Sequence, residues 1–346
     1  MTKKKTNRDL LTSIAFFFFF SLFYVGIRMI FSSADGQADY NGPSQSLFNL
    51  HIPKDLHFAG EPIPRNDYSI KENMEKVFHG GNFEKSTAFV LFSRASSWFP
   101  MIERILKKNN IPDDFKYVAL AESRLTNSTS PQGAVGFWQF VSTTGSHYGL
   151  EINPEVDERY NVEKSTEAAC RFFKEAYKKF KNWTLVAAAY NLGMGGIESH
   201  IKKQATGNYY DLMMNRETSL YIYRILALKT VFTNSGKKFM GGVNIYNIPG
   251  VIFKTDSSIA DLDAFAKSKG CSIDILKTLN PWLIGTSLTN AERRTYSIKL
   301  PGKEYMKKFM APKTDTVKMK QDTLPVKILQ TDTLQALPDT VKENKK

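Results

Sequence analysis

The stretch DDFKYVALAESRL, residues 113–125, has the residue spacing that decides the fold class of the central part of the chain. Its apolar positions recur every three or four residues, which predicts a helix with one buried face. The face that holds Glu122 is otherwise apolar, with Phe115, Val118, Ala119 and Leu125. Position 118, one turn before Glu122, holds no cation, so burial would raise the pKa of the carboxyl and suit it to general acid catalysis. The alternative is a glutamate at a helix end that turns into solvent.

Helical spacing continues on both sides of this stretch. Three later segments predict further helices: STEAACRFFKEAYKKF (165–180), NWTLVAAAYNLG (182–193) and ETSLYIYRILALKTVF (217–232). Ser165 is the expected N-cap of the first segment, and Gly193 is the expected end of the second. We find no convincing strand in this part of the chain, so the sequence predicts an all-α domain over residues 66–245.

The pattern changes after Pro249. A strand is predicted at VIFKTDSSI, two short helices at ADLDAFAKSKG and SIDILKTLNP, and a second strand at TYSIKLP. These elements predict a small βααβ module over residues 249–310, which makes the whole chain mainly α. Residues 311–346 repeat Asp-Thr pairs among lysines and prolines without any aromatic residue, so we expect a disordered tail.

The amino terminus has the pattern of an export segment. Residues 1–9 are basic, and residues 10–31 are apolar apart from Arg28, which indicates a transmembrane anchor or a cleaved signal sequence behind a cytoplasmic end. Residues 32–65, rich in Ser, Gly, Pro and Asn, predict a linker. Both interpretations place the rest on the exported, periplasmic side of the envelope, with the anchor in the inner membrane, and exclude cytosolic nucleic-acid binding. The net charge of +13 suits an anionic wall polymer or membrane surface.

Few other groups indicate chemistry. The five histidines are scattered without metal-ligand spacing, so we expect neither a metal site nor a cofactor. Cys170 and Cys271 lie far apart and are expected to behave as two small buried hydrophobic residues rather than as a disulfide.

The stretch SPQGAVGFWQF, residues 130–140, begins eight residues after Glu122. Gly136 would let backbone approach a ligand, Phe137 and Trp138 offer flat apolar walls, and Gln139 offers both a donor and an acceptor. A pyranose has apolar faces and a rim of hydroxyls, so these residues would suit a sugar chain. The alternative is that Trp138 and Phe140 belong to the hydrophobic core.

The stretch AAAYNLG, residues 187–193, places Tyr190 and Asn191 at the end of a predicted helix. A phenol and an amide at such a point could make polar contacts to a ligand, although a structural tyrosine is the ordinary alternative.

The segments AES (residues 121–123), SPQGAVGFWQF and AAYNLG resemble, in order and spacing, the three motifs of the lytic transglycosylases with the goose-lysozyme-like fold. The WQF form looks like the branch of membrane-bound lytic murein transglycosylase D, and ET at 217–218 followed by Tyr221 adds a fourth match. Residues 251–301 resemble a degenerate LysM module, a fold that binds N-acetylglucosamine polymers.

This resemblance implies an enzyme that cleaves the MurNAc–GlcNAc β-1,4 bond of peptidoglycan glycan strands and leaves 1,6-anhydro ends. Glu122 matches the single acid/base and Tyr221 an additional active-site tyrosine. The matching substrate contacts are Ser130 for the acetamido group, Gln139 for the glycan, and Tyr190 with Asn191 beside the acid. The LysM-like module would hold the enzyme on glycan by tethering. Protein partners are not indicated.

Two alternatives remain at this point. A lysozyme-type hydrolase of the same fold would need a second carboxylate, for which Glu151, Asp157 and Glu158 are candidates, although NPEVDERYN predicts an exposed, turn-rich segment. A glycan-binding scaffold without turnover is the other alternative.

Overall fold

The computed structural model describes residues 53, 55–64, 68–80, 85–239 and 250–302. The predicted anchor or signal sequence at 10–31, most of the predicted linker and the predicted tail at 311–346 lie outside these residues. In the described part of the chain, no helix has the length and apolar character needed to cross a bilayer.

The mainly α class is confirmed, because the described part of the chain between residues 68 and 239 is built from helices. They are α1 (Tyr68–Gly80), α2 (Lys85–Lys108), α3 (Lys116–Ser123), α4 (Ser142–His147), α5 (Val162–Phe180), α6 (Trp183–Leu192), α7 (Met194–Gln204) and α8 (Arg216–Phe239). Single turns of 3-10 helix lie at Asp113–Phe115, Glu158–Tyr160 and Tyr209–Asp211.

The βααβ module is also confirmed. Strand β3 (Gly250–Thr255) pairs antiparallel with β4 (Tyr296–Pro301), with Gly250 opposite Pro301. Between the strands lie α9 (Leu262–Ser268), capped by Asp261, and α10 (Ile273–Leu279), capped by Ser272. Residues 250–302 are called the LysM-like module below.

The core of the helical region forms where α8 packs against α1, α3 and α6. Helix α6 is buried from Thr184 to Ala189, and its run of small side chains, Ala187–Ala189, lets the neighbouring helices approach closely. Aromatic side chains fill the rest, and Phe115 packs against Phe173 with ring centroids 4.4 Å apart. Cys170 and Cys271 are both buried and unbridged.

Helix α5 begins earlier than its sequence pattern suggested. Asn161 is the N-cap, since its side chain accepts the N–H of Lys164, so the prediction of Ser165 as the cap was wrong. Ser165 lies inside the helix and donates its hydroxyl to the carbonyl of Asn161 at 2.7 Å. Gly193 ends α6 as predicted, with a φ of +84° that favours glycine.

The last part of the predicted linker is ordered and packs on the helical core. Residues 55–64 contain a small hairpin of β1 (His57–Phe58) and β2 (Glu61–Pro62), and Phe58 and Ile63 are buried in the core. The carboxylate of Glu61 accepts the N–H groups of Trp183 and Thr184 at 2.5 and 2.8 Å, so it caps the start of α6. We call residues 55–64 the strap.

Candidate active site

Helices α3 and α8 bring Glu122 and Tyr221 together. Glu122 stands one residue before the end of α3, where the chain turns out of the helix at Arg124 with a φ of +55°. The hydroxyl of Tyr221, on α8, donates to Oε1 of Glu122 at 2.5 Å. Glu122 is partly buried and Tyr221 is almost fully buried, so the interpretation of Glu122 as a glutamate that turns into solvent is wrong.

The surroundings of Glu122 hold its carboxyl near neutrality. The pKa of Glu122 is raised to about 7, chiefly because the carboxyl is buried and to a smaller extent because the charge of Glu217 is near. The hydrogen bond from Tyr221 and the charge of Arg224 act in the opposite direction, because both favour the carboxylate. A carboxyl with a pKa of about 7 can both release and take up a proton near neutral pH.

Tyr190 and Asn191, at the end of α6, lie on the adjoining side of the site. The hydroxyl of Tyr190 donates to the backbone carbonyl of Trp138 at 2.5 Å. Burial raises the pKa of Tyr190, and the charge of Glu122 raises it further. Asn191 accepts the hydroxyl of Thr218 at 2.9 Å. Both side chains therefore connect α6 to other parts of the site.

Glu217 is a second carboxyl that the sequence analysis did not select as a functional residue. It accepts a long, 3.4 Å contact from the side-chain amide of Asn191, and burial raises its pKa. Its spacing in the sequence could have indicated a role in the site. Glu217, Tyr221 and Arg224 are separated by four and three residues, so all three lie on one face of α8. The same Arg224 that favours the charged form of Glu122 also favours that of Glu217.

The loop at residues 127–140, called the glycine loop below, carries Ser130 and Gln139. The hydroxyl oxygen of Ser130 accepts the N–H of Ala134 at 3.1 Å, which leaves its own hydrogen free to donate. The amide nitrogen of Gln139 donates to the carbonyls of Gly136 and Ser128 at 2.8 and 3.1 Å. Both of its hydrogens are then used, so Gln139 would meet a ligand as an acceptor.

Phe137 and Trp138 are not walls of a groove, which corrects the prediction from the sequence. Trp138 is 0% exposed and Phe137 is 3% exposed. The indole of Trp138 donates to Thr166 at 2.8 Å, and the Phe137 ring packs edge-on against Trp98 at 5.1 Å. Both rings belong to the hydrophobic core, so they anchor this part of the glycine loop to the rest of the domain. Trp98, which is only partly buried, is the aromatic residue nearer the surface.

Gly136 is needed for packing of the protein against itself. Its φ is +78°, and a Cβ at this position would lie 2.2 Å from the carbonyl oxygen of Arg159. The guanidinium of Arg159 donates to the carbonyls of Gly133 and Phe140 at 3.0 and 3.2 Å. Arg159 therefore holds the glycine loop at its middle and at its C-terminal end, a role that the sequence analysis missed.

The three carboxyls proposed as a second catalytic group are engaged elsewhere. Asp157 and Glu158 are buried rather than exposed, and they pair with Arg159 and Lys164 respectively. Glu151 accepts the hydroxyl of Tyr296 at 2.9 Å. The predicted turns are present, as bends at residues 153–155 and a single turn of 3-10 helix at Glu158–Tyr160. The predicted exposure was wrong for residues 156–159, which are buried where the chain pairs with the LysM-like module.

The described ranges contain no group of three or more His, Cys, Asp or Glu side chains arranged to hold a metal ion. Acid and base chemistry is what the assembled side chains can supply: a neutral carboxyl, a buried phenol donor, and free polar atoms on the glycine loop.

Comparison with known proteins agrees with this geometry. The chain is 30% identical over 233 residues to "Membrane-bound lytic murein transglycosylase D" from two strains of Escherichia coli, K12 and O6:H1, which covers 65% of this chain and 50% of each relative. It is 31% identical over 125 residues to a "Putative tributyltin chloride resistance protein" from Alteromonas, which covers 35% of this chain and 60% of that protein. The chain thus spans about half the length of the Escherichia coli relatives it matches.

Two family matches divide the chain at the point where its sequence pattern changes. Residues 99–213 match the family described as "Transglycosylase SLT domain", which includes Glu122, the glycine loop and Asn191. Residues 252–304 match "Soluble lytic transglycosylase C-terminal LysM-like domain". The chain therefore combines a transglycosylase SLT domain with a soluble lytic transglycosylase C-terminal LysM-like domain.

Proposed function

We propose that this protein is a peptidoglycan lytic transglycosylase that cleaves the MurNAc–GlcNAc β-1,4 bond and leaves 1,6-anhydro ends. The observation that carries the proposal is Glu122, a partly buried carboxyl with a pKa of about 7 that is held in place by Tyr221. The SLT domain and the similarity to the murein transglycosylase D proteins support the same substrate class.

The reaction needs one group that first gives a proton and then takes one. Neutral Glu122 protonates the glycosidic oxygen, and the bond from that oxygen to C1 of MurNAc breaks. The C6 hydroxyl of the same sugar then attacks C1, and its proton passes to the Glu122 carboxylate. No water is consumed and the acid is restored, so a pKa near the working pH serves both steps.

The free polar atoms around Glu122 fit an aminosugar. The Ser130 hydroxyl is free to donate to an acetamido carbonyl, and Oε1 of Gln139 is free to accept a sugar hydroxyl. Tyr190 has given its hydrogen to Trp138, so its oxygen is also an acceptor. We propose these three residues, with Asn191, as the glycan contacts.

A hydrolase of the same fold is the second candidate, and Glu217 is the observation that favours it. A hydrolase would use a second carboxylate to activate water. Glu217 is partly buried in the site and is close enough to raise the pKa of Glu122. Glu151, Asp157 and Glu158 do not serve this role, because each is engaged in other contacts.

Mass spectrometry of soluble products tests the proposal. The full chain is incubated with purified peptidoglycan, alongside Glu122→Gln and, as a matched control, Glu72→Gln at an exposed surface pair on α1. Transglycosylation predicts products lighter by one water than hydrolytic ones, no products from Glu122→Gln, and wild-type yield from Glu72→Gln. Reducing ends would instead establish hydrolysis, and Glu217→Gln would then abolish activity. No product from the wild type would favour the non-catalytic scaffold.

We also propose that the protein acts on the exported side of the envelope and is anchored in the inner membrane by residues 10–31. The apolar run with its basic flank supports this location, as does the name of the Escherichia coli relatives. Membrane fractionation with alkaline extraction tests the anchor: a chain that keeps residues 10–31 stays in the pellet, and a chain cleaved after them is released.

A further inference from the structure

The hydrophobic core of the LysM-like module contains one residue from outside the module. Val156 is 1% exposed and packs in this core with residues such as Leu262, Leu276 and Leu288. It also forms an antiparallel β-bridge with Leu283, and the N–H of Asp157 donates to the carbonyl of Trp282 at 2.9 Å. A module that moved freely on a tether would expose Val156 to water. The module is therefore docked on residues 151–160, which we call the connector.

Backbone groups and one carboxylate continue this contact. The carbonyl of Glu155 accepts the N–H groups of Ile284 and Gly285 at 2.9 and 3.0 Å. Its carboxylate accepts the N–H of Thr289 at 2.7 Å and the hydroxyl of Ser287. A Cβ on Gly285 would lie 2.8 Å from Cα of Glu155, so the backbones approach as closely as a glycine allows.

The other end of the connector holds the glycine loop. The guanidinium of Arg159 reaches the carbonyls of Gly133 and Phe140, and it is fixed by Asp157 at 2.7 Å in a pair that is almost fully buried. Tyr160 accepts a contact from Asn127 at 3.2 Å through its carbonyl, while its ring packs against the core of the module.

Asp157 connects the two ends. Its backbone N–H donates to the carbonyl of Trp282 in the module, and its carboxylate accepts hydrogen bonds from Nε and Nη2 of Arg159. A shift of the module would move Asp157 and, through this two-point contact, the fork of Arg159. The carbonyls of Gly133 and Phe140 in the glycine loop would then lose their hydrogen bonds from Arg159.

We propose that the LysM-like module is a fixed support of the active site, and that Arg159 is a positioning residue through which its docking orders the glycine loop. Only the expected effect of Arg159 on turnover rests on the proposed function. The structural part of the proposal, the coupling between module and loop, holds or fails whatever the reaction is.

Hydrogen exchange on the full chain tests the coupling. Val156→Asp places a charge in the module core, and Val251→Asp is the matched control, since Val251 is 58% exposed on β3 of the same module. We expect amides bonded within the glycine loop, such as those of Ser130 and Val135, to exchange at least about tenfold faster in Val156→Asp. They should be unchanged in Val251→Asp, and amides in the middle of α8 should be unchanged in both. Unchanged loop exchange in Val156→Asp would overturn the proposal.

A second variant covers the case in which Val156→Asp also loosens α8. Glu155→Ala removes only the carboxylate contacts to Ser287 and Thr289, and its matched control is Glu198→Ala, an exposed pair with Lys179 on other helices. Faster loop exchange in Glu155→Ala alone supports the coupling. Equal exchange in the two variants rules it out.

Turnover tests the positioning role of Arg159. Arg159→Lys keeps a positive charge beside Asp157 but loses the planar guanidinium that bonds both Asp157 and the loop carbonyls. The glycine loop would then be less well positioned, so we expect kcat to fall about tenfold. The pH at which the rate declines should stay the same, because Glu122 keeps its neighbours. Full activity in Arg159→Lys would remove the positioning role even if the module and loop are coupled. If the wild type itself releases no products, the proposed reaction fails while the exchange result still decides the coupling.

Discussion

At the scale of single residues, the neighbours of Glu122 set the pH range in which it can act as an acid. The hydrogen bond from Tyr221 favours the carboxylate, so Tyr221→Phe should raise the pKa of Glu122 above its value of about 7. A general acid must be protonated before reaction, and activity therefore declines as pH rises through this pKa. We expect the declining limb of kcat/KM to move to higher pH by about one unit in Tyr221→Phe.

Glu217→Gln should shift the same limb in the opposite direction. It removes a like charge whose presence raises the pKa of Glu122, so the limb moves to lower pH. Opposite shifts in two variants would identify the limb as the titration of Glu122, since a general loss of structure would not move it in two directions. Identical limbs in both variants and the wild type would show that another group controls it. The measurement is the initial rate of product release at limiting substrate between pH 5 and 9.

Substitutions at two glycines of the glycine loop distinguish the cost of backbone strain from the cost of a steric clash. Gly133 and Gly136 both have a positive φ, of +75° and +78°, but a Cβ on Gly133 meets nothing within 4 Å. Gly133→Ala should cost about 1 kcal/mol from strain alone. Gly136→Ala adds a clash with the carbonyl of Arg159 and should cost more than about 2 kcal/mol. Urea unfolding measures both free energies, and equal losses would contradict the role of the Arg159 contact.

Glu122 could be recognised from sequence because its helix shows a clear apolar face, and that face stays in register whatever packs on it. Arg159 could not, because its partners are backbone carbonyls of a distant loop, which carry no sequence signal. Trp138 was misread for a related reason: flanking glycines suggest an open loop, but its indole lies under the loop and is bonded to Thr166.

At the scale of elements, the strap fixes the helix that carries Tyr190 and Asn191. Glu61 supplies a carboxylate to two backbone N–H groups and one hydroxyl at the start of α6, all within 2.8 Å. We expect Glu61→Ala to lower the free energy of unfolding by about 1–2 kcal/mol, because the helix end loses its hydrogen bonds and a favourable charge.

Urea unfolding checks this expectation, with Glu72→Ala as the control. Glu72 forms an exposed pair with Lys76 on α1, so its loss should cost less than about 0.5 kcal/mol. Equal losses in Glu61→Ala and Glu72→Ala would mean that the strap does not stabilise α6.

The long helices and the βααβ module were predictable from the sequence, and the strap was not. The long helices follow from apolar periodicity over ten or more residues. The strands and helices of the module have only six or seven residues each, and they follow from short apolar runs bounded by turn residues. The strap has only two residues in each strand, so it offers no alternation to detect. Its order comes from contacts far along the chain, such as Glu61 with Thr184 and the N–H of Ala59 with Asp114.

At the scale of the whole molecule, the change from helical spacing to the βααβ pattern was visible in the sequence, but the contact between the helices and the LysM-like module was not. Val156 is a single apolar residue in the polar, turn-rich stretch NPEVDERYN. A single apolar residue forms no periodic pattern, so its burial cannot be predicted from the sequence. Its burial depends on Leu283 and other module residues more than 100 positions away.

The docked module predicts one cooperative unfolding transition. Because Val156 belongs to the module core and Arg159 holds the glycine loop, melting the module should destabilise the SLT domain in the same step. Calorimetry of the full chain should therefore give one peak with equal calorimetric and van't Hoff enthalpies. Val156→Asp should split it into an earlier peak for the module and a later one for the helices, while Val251→Asp keeps a single peak. Two separate peaks in the wild type would mean that the module unfolds independently, and the contacts at the connector would then be too weak to support the active site.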